Sequence, residues 1–251
     1  MLGRGRGFTR IKSLGAPSMH SGIPTSGSAG LPTANLLFWY DASDSGSLTL
    51  TGSAVTGWAD LSGNGHNLAQ ANASFQPTLV DADQNGLDTI SCDANDSMTT
   101  ASITHGIGTG DFTLLFALRK PTDASGAFQG LLQFGTNNPG INLSTGGQVN
   151  KITFYNTSEN AFATVLVQST AYVITLKRTS GQVSCWVNSV ADASNPIANA
   201  TSIGNAVLTL FNTTSGDWFE GSMFELAMYT SALSASDQAT AETYLMNKWD
   251  I

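Results

Sequence analysis

Three acidic residues near the start of the sequence stand beside aromatic ones. The stretch FWYDASDSG at 38–46 places Asp41 directly after three aromatics and Asp44 three positions later, and Asp60 lies two positions after Trp58 in WADLSGNG. A glycosidase needs two carboxyl groups about 5–5.5 Å apart for retention, or somewhat wider for inversion, and aromatic rings suit sugar stacking. The alternative is a purely structural role, in which the aromatic side chains of a first strand lie in the core and the acidic side chains lie in turns. We favour this alternative and predict no catalytic residue in the chain.

Two loops carry side chains with metal-ligating oxygen atoms at alternate positions before a glycine, as the first half of a calcium-binding loop does. One contains Asp60, Ser62 and Asn64, and it lacks the bidentate glutamate that closes such loops. The second is DADQNG, which matches better in its first six positions. A hydrogen-bonded turn and a solvent-facing hairpin are the default interpretations. We predict no cofactor and keep calcium as an alternative whose ligands would be Asp60, Ser62 and Asn64 or Asp81, Asp83 and Asn85.

The charge of the 251-residue chain is unevenly placed. Charged residues make up only 11%, against about 25% in a typical soluble domain, and the net charge is −8. Residues 1–34 carry four basic and no acidic side chains, whereas the remainder has 6 basic and 18 acidic ones. The acidic body argues against nucleic-acid binding. No run of 18 apolar residues occurs, so no membrane-spanning helix is expected.

The first 34 residues form a Gly-, Ser- and Pro-rich basic arm that cannot build a core of its own. Such an arm is typical of a segment that docks on an acidic partner surface. The cationic side chains would steer the arm to the partner surface, and the apolar side chains would bury apolar surface area against it. The predicted partner-binding residues are Arg4, Arg6, Phe8, Arg10, Ile11, Lys12 and Leu14.

From residue 35 to 251 the sequence predicts one β-sandwich closed by a helix. Short apolar runs alternate with turn residues such as Asn85-Gly86 and Ser180-Gly181. In DFTLLFALRK, Phe112, Leu114, Phe116 and Leu118 fall on one face, while the other face is half apolar. The only helical periodicity lies at about 234–249, with a serine N-cap before it.

The ends of this region resemble laminin-G-like, concanavalin A-like jelly-roll domains of bacteriophage virion and bacterial surface proteins. The resemblance rests on WYDASDSGSLTL, VTGWADLSGNGHNLAQ and the ending EGSMFELAMYTSALSASDQATAETYLMNKW. It implies an all-β, two-sheet antiparallel jelly-roll sandwich. Glycosidases of this fold use an E-x-D-x-x-E strand motif, which the chain lacks. The fold alone does not determine a function.

Exposed aromatics beside amide or acid groups are the most plausible sugar-binding residues of such a sandwich. The candidates are Trp218 with Asp217, and Tyr155 with Asn156. A tryptophan that merely covers the edge of the core is the alternative.

These observations lead to two functional hypotheses. The first is a non-enzymatic structural protein of a bacteriophage virion, exposed on the particle surface as a capsid decoration or tail-associated component. Its arm would anchor it to other virion proteins in an oligomeric assembly. The alternative is a lectin-like module that recognises a host or environmental glycan.

Overall fold

The computed structural model describes residues 30–120, 128–135, 140–143, 148–155, 159–213 and 216–251. Within them the chain is mostly β, with one α-helix at its end and a short 3₁₀ turn at Ala73–Phe75. The first nine strands are β1 (Leu36–Asp41), β2 (Leu48–Thr51), β3 (Ala54–Trp58), β4 (Leu68–Ala69), β5 (Thr78–Gln84), β6 (Leu87–Cys92), β7 (Met98–Ile103), β8 (Phe112–Lys120) and β9 (Gly130–Phe134). The others are β10 (Gly140–Leu143), β11 (Lys151–Tyr155), β12 (Glu159–Val165), β13 (Thr170–Thr179), β14 (Gln182–Val187), β15 (Val190–Ala191), β16 (Ile197–Ala198), β17 (Ala206–Leu210) and β18 (Gly221–Tyr229), and the helix is α1 (Ala235–Trp249).

The strands form one continuous antiparallel network that folds back on itself around a single core. One layer runs β1–β18–β8–β13–β14, and the other runs β12–β11–β10–β9–β17–β7. The layers are joined through β5, which pairs with β6 and touches β3 at Ala54 and Thr78. The predicted antiparallel sandwich with one closing helix is confirmed in this coarser, nearly closed form. The finer prediction of a two-sheet jelly roll stays a prediction.

Strand β8 shows why both of its faces are apolar in the sequence. Phe112, Leu114, Phe116 and Leu118 belong to the main core between the layers. Leu115 and Ala117 belong to a second apolar cluster with residues of α1, including Leu245 and Trp249. Adjacent side chains of a strand point to opposite faces. The half-apolar outer face predicted for this strand is therefore the surface on which the helix packs.

Helix α1 begins and ends close to the predicted limits of 234 and 249. The Ser234 hydroxyl accepts a hydrogen bond from the Asp237 amide at 3.1 Å, so it satisfies one free N–H of the first turn. Asp250 takes a left-handed conformation with φ 53° and ends the helix. Apolar residues of α1 pack on the outer face of the β8–β18 layer.

The predicted turns at Asn85-Gly86 and Ser180-Gly181 are confirmed. In each pair both residues have positive φ, between 50° and 74°, and the flanking strands are antiparallel neighbours. Positive φ at both central residues is the geometry that matches the twist of a two-residue hairpin.

Asp192 lies at the edge strand β12 and satisfies its free backbone amides. Its carboxylate accepts hydrogen bonds from the Ala163 and Thr164 amides at 2.9 and 2.7 Å, and from the amide and hydroxyl of Ser194. Burial by itself would raise its pKa, but the hydrogen bonds from Ser194 and Thr164 outweigh burial and lower the pKa well below its usual range. Two edge N–H groups that could pair with another chain are thereby satisfied.

Residues 30 and 31 lie just before the predicted boundary between arm and sandwich at residue 34, and that boundary stays a prediction. Leu31 is buried in the cluster beneath α1. A Cβ on Gly30 would lie 2.1 Å from the Tyr244 ring, so only glycine allows this approach. Residues 30–31 therefore already pack on the helix layer.

Candidate functional site

Strand β1 gives the acidic and aromatic stretch at 38–41 two separate roles. Phe38 and Tyr40 lie in the main core, as predicted. Trp39 points to the opposite face and joins the cluster beneath α1. Asp41 ends the strand and accepts the Ser43 amide at 3.0 Å, which makes it a turn residue, and Asp44 likewise accepts the Gly46 amide at 2.9 Å. The prediction that these acids occupy turns is confirmed.

Asp41 has a second role that the sequence does not reveal. It lies opposite Glu225 in the β1–β18 pair, so the two carboxyl groups share the outer face. Lys248, from the last turn of α1, donates to Asp41 Oδ2 at 2.5 Å and to Glu225 Oε2 at 2.8 Å. Trp39 Nε1 and Trp249 Nε1 also donate to Glu225, at 2.7 and 3.0 Å. We call these five residues the Glu225 cluster.

The Glu225 cluster fastens the helix. The side chain of Glu225 is fully buried, and each of its oxygens accepts a hydrogen bond from a neighbouring side chain. Burial and the Asp41 carboxylate raise its pKa to about 7, although Lys248 and the hydrogen bonds partly oppose them. A carboxyl poised near neutrality can serve an acid–base catalyst, but both oxygens of this one are already engaged by Trp39, Trp249 and Lys248.

The raised pKa predicts that stability falls as pH rises from about 5 to about 7. In this range the folded state retains the Glu225 proton and the unfolded chain has lost it, so each pH unit costs up to about 1.4 kcal/mol. Urea unfolding between pH 5 and 8 measures this slope. Glu225→Gln should flatten the fall relative to the wild-type chain. Equal slopes for the two proteins would contradict the assignment.

The loop that contains Asp60, Ser62 and Asn64 is a hydrogen-bonded turn. Asp60 accepts the backbone amides of Trp39, Ser62 and His66 at 2.9–3.0 Å and the Ser62 hydroxyl at 2.8 Å. Asn64 donates to the carbonyls of residues 36 and 37. Protein donors thus occupy the oxygens that a calcium ion would need, which favours the turn.

The DADQNG hairpin packs against the end of α1. Asp83 forms an ion pair with Arg119 and accepts the Thr89 hydroxyl. Asn85 and Gln84 donate to the carbonyls of Lys248 and Trp249, at 2.9 and 2.7 Å. These carbonyls lack partners within the helix. The hairpin is therefore a cap for the helix, whereas Asp81 at its start is exposed. Among the described residues, no group of three or more His, Cys, Asp or Glu side chains could hold a metal ion.

A different set of polar residues lies on one face of the layer that contains β17, β9, β10 and β11. Asn142 and Thr153 are direct partners in the β10–β11 pair. Their neighbours along the strands point into the core, so these two point away from it. On β9 the partner of Asn142 is Gly130, which has no side chain. Asn212 follows β17, and the Phe211 amide beside it donates to the carbonyl of Leu131. We call Asn212, Asn142 and Thr153 the polar row.

The polar row contains buried oxygens without partners. Asn142 Oδ1, Thr153 Oγ1 and Asn212 Oδ1 have no hydrogen-bond partner among the described residues. The side chains of Asn142 and Thr153 are 2% and 0% exposed. More than about nine in ten buried polar groups in proteins are paired. Three unpartnered oxygens on one face of this layer are therefore unusual, and they have free hydrogen-bonding capacity among the described residues.

The turn at 213–217 forms the rim of this row, and one of its residues was predicted from sequence. Asp217 accepts the Gly130 amide through its carbonyl at 3.2 Å and the Thr213 hydroxyl through its carboxylate at 3.0 Å. A Cβ on Gly130 would lie 2.5 Å from the Asp217 carbonyl oxygen, so glycine permits this approach. Asp217 is thus held next to Gly130, the strand partner of Asn142.

The structure places the predicted sugar-binding aromatic residues in different settings. Trp218 is half-buried, and its ring stacks on Phe75 with centroids 5.8 Å apart, so part of it serves packing. Tyr155 ends β11 opposite Gly140, in the same strand pair as Asn142 and Thr153. Asn156 lies outside the described residues. Phe128, which sequence reasoning missed, is 39% exposed and directly precedes Gln129. Its only sequence signal was an apolar residue next to a polar one.

The predicted anchoring arm, with Arg4, Arg6, Phe8, Arg10, Ile11, Lys12 and Leu14, lies outside the described residues. Its role therefore stays a prediction. Among the described helices, none has the length and apolar character needed to cross a membrane.

Comparisons with solved structures give the fold a context. Trypanosoma rangeli sialidase in complex with sialic acid superposes with a TM-score of 0.62 and 15% identity, over 87% of this chain and 34% of the sialidase. Domain 4 of AbnA, a GH43 extracellular arabinanase from Geobacillus stearothermophilus, in complex with arabinotriose, gives 0.58 and 14%, over 84% of this chain and 98% of that domain. The binding domain of Paraclostridial Mosquitocidal Protein 1 gives 0.59 and 18%, over 85% of this chain and 52% of that chain.

The chain thus spans about a third of the sialidase but nearly all of the arabinanase domain. No protein-family model matches the sequence, and no curated protein does. Neither the laminin-G resemblance nor a virion origin gains support from these comparisons. What they establish is that the chain has the antiparallel β-sandwich fold found in these proteins.

Proposed function

We propose that this chain is a non-catalytic carbohydrate-binding domain whose site is the polar row with its rim at Asp217 and Phe128. The observation that carries the proposal is the set of buried, unpartnered oxygens on adjacent strands. Sugar hydroxyl groups would complete these hydrogen bonds, and an exposed aromatic ring would cover the apolar face of a sugar.

Two of the similar structures support this assignment. Domain 4 of the arabinanase is matched over nearly its whole length and its structure holds arabinotriose. The matched toxin segment lies in a chain described as a binding domain. The sialidase and other glycoside hydrolases also share the fold. Against catalysis here, both oxygens of Glu225, the carboxyl whose pKa lies near neutrality, are engaged by Trp39, Trp249 and Lys248.

The proposal predicts that Asn142→Ala and Phe128→Ala each weaken glycan binding about tenfold or more. Asn142→Ala removes a buried acceptor, and Phe128→Ala removes an exposed aromatic ring two residues before Gly130, the strand partner of Asn142. Binding is measured by a glycan array followed by isothermal titration with the oligosaccharide that binds best.

Matched controls separate binding from folding. Asn199 is another buried asparagine with an unpartnered amide atom, but it lies next to β16. Val190 is 70% exposed in the β14–β15 hairpin. We expect Asn199→Ala and Val190→Ala to bind as the wild-type chain does. Binding that is lost equally in all four variants, or that is never saturable, would rule out the site.

A virion structural role is a second candidate, favoured by the charge of the chain. Residues 1–34 carry +4, while the rest carries −12, so the arm would anchor to other virion proteins and leave the sandwich displayed. Co-sedimentation of the full chain, and of a chain beginning at Ala34, with particles stripped of the protein tests this. Equal binding by both would exclude the arm as anchor. The two functions are compatible, because a displayed domain can bind glycans.

A further inference from the structure

The chemistry of the polar row indicates which class of glycan it can accept. The unpartnered atoms of Asn142 and Asn212 are amide oxygens, which only accept hydrogen bonds. The third, the Thr153 hydroxyl, can accept or donate. A ligand that completes this set must therefore supply donors.

The charge at the row has the wrong sign for an anionic ligand. The row contains no Lys or Arg, and the charged side chain at its rim is the Asp217 carboxylate. Lys151 lies two residues before Thr153 on β11, but it is half-buried and donates to Gln148 Oε1 at 3.2 Å. A carboxylate or sulfate seated here would lose its water and meet acceptors instead of donors, which is costly.

The length of the row suits an oligosaccharide. It crosses four neighbouring strands, and three strand spacings span about 14 Å. Donors are therefore needed at several points along the ligand, as a chain of sugar rings with free hydroxyl groups provides.

We propose that the polar row accepts hydrogen bonds from the hydroxyl groups of a neutral oligosaccharide and discriminates against sialylated, otherwise carboxylated or sulfated glycans. This inference rests on the proposed function and narrows it to one class of ligand.

The first test is a glycan array that carries neutral oligosaccharides beside their sialylated and sulfated forms, lactose and 3′-sialyllactose among them, followed by titration of the pairs that bind. We expect the neutral member of each bound pair to bind at least about tenfold more tightly. Equal or tighter binding of the anionic member would overturn the inference and leave the proposed function intact. Binding of no glycan at all would overturn both.

The second test uses Asn142 variants of similar size. Asn142→Asp keeps an acceptor oxygen and adds a negative charge, whereas Asn142→Leu removes the acceptor. With a neutral ligand, Asn142→Asp should retain an affinity within about tenfold of that of the wild-type chain. Asn142→Leu should bind more than about tenfold more weakly. Loss of binding in Asn142→Asp equal to that in Asn142→Leu would contradict the inference. Thr153→Val, which replaces the hydroxyl with a methyl of similar size, provides a second variant if Asn142→Leu unfolds.

Discussion

Lys248→Met is expected to lower the free energy of unfolding by about 3–5 kcal/mol. The substitution removes the cation that lies between Asp41 and Glu225 and leaves two carboxyl groups facing each other, one of them fully buried. It also detaches the last turn of α1 from strands β1 and β18. Urea unfolding at pH 7 measures the loss.

Lys151→Met is the matched control for that experiment. Lys151 is half-buried and donates to one neutral amide, so its loss should cost less than about 1 kcal/mol. Comparable losses for the two variants would mean that Lys248 contributes no more than an ordinary surface lysine. The double variant Lys248→Met with Glu225→Gln should recover part of the stability, since the amide of the second substitution stays neutral without Lys248.

Arg178→Lys is expected to be the second most damaging change, at about 3–5 kcal/mol. The guanidinium is buried and donates to the carbonyls of Gly108, Gly110 and Thr201 at 2.6–2.7 Å. It also lies over the Phe112 ring at 4.9 Å. A lysine ammonium lacks the planar fork that reaches three separated carbonyls, so at least one buried carbonyl loses its donor.

The corresponding control is Arg119→Lys. Arg119 is 21% exposed and pairs with Asp83, and a lysine can keep that ion pair. We expect a loss of no more than about 1 kcal/mol in chemical unfolding. If Arg178→Lys proves as mild as Arg119→Lys, the three carbonyls must have another source of hydrogen bonds.

Local patterns predicted the elements of this fold well, because they depend on near neighbours in the chain. The alternation of Leu114 and Phe116 with Leu115 and Ala117 reports the two faces of β8 directly. The Asn85-Gly86 pair predicts its hairpin from the backbone preferences of those two residues. Ser234 likewise marks the start of the helix.

The roles of the polar residues at those elements were less predictable. The DADQNG pattern is equally compatible with a calcium loop, a free hairpin and a helix cap. Only its contact with the carbonyls of Lys248 and Trp249 decides for the cap. Asp217 was selected from its neighbours in the sequence, and its place at the rim of the polar row depends on its approach to Gly130, the strand partner of Asn142.

The sequence by itself determined an antiparallel β-domain, a closing helix, the main turns and a basic segment ahead of an acidic body. The tertiary structure alone decided which polar groups meet. Asp41 and Lys248 are 207 positions apart, and Asn142 and Thr153 lie on different strands while Asn212 follows a third. Hydrophobic periodicity and turn preferences act over a few residues, so they can be recognised in short stretches of the sequence. The partner of a buried polar group depends on strand order and register, which follow from the packing of the whole chain around its core.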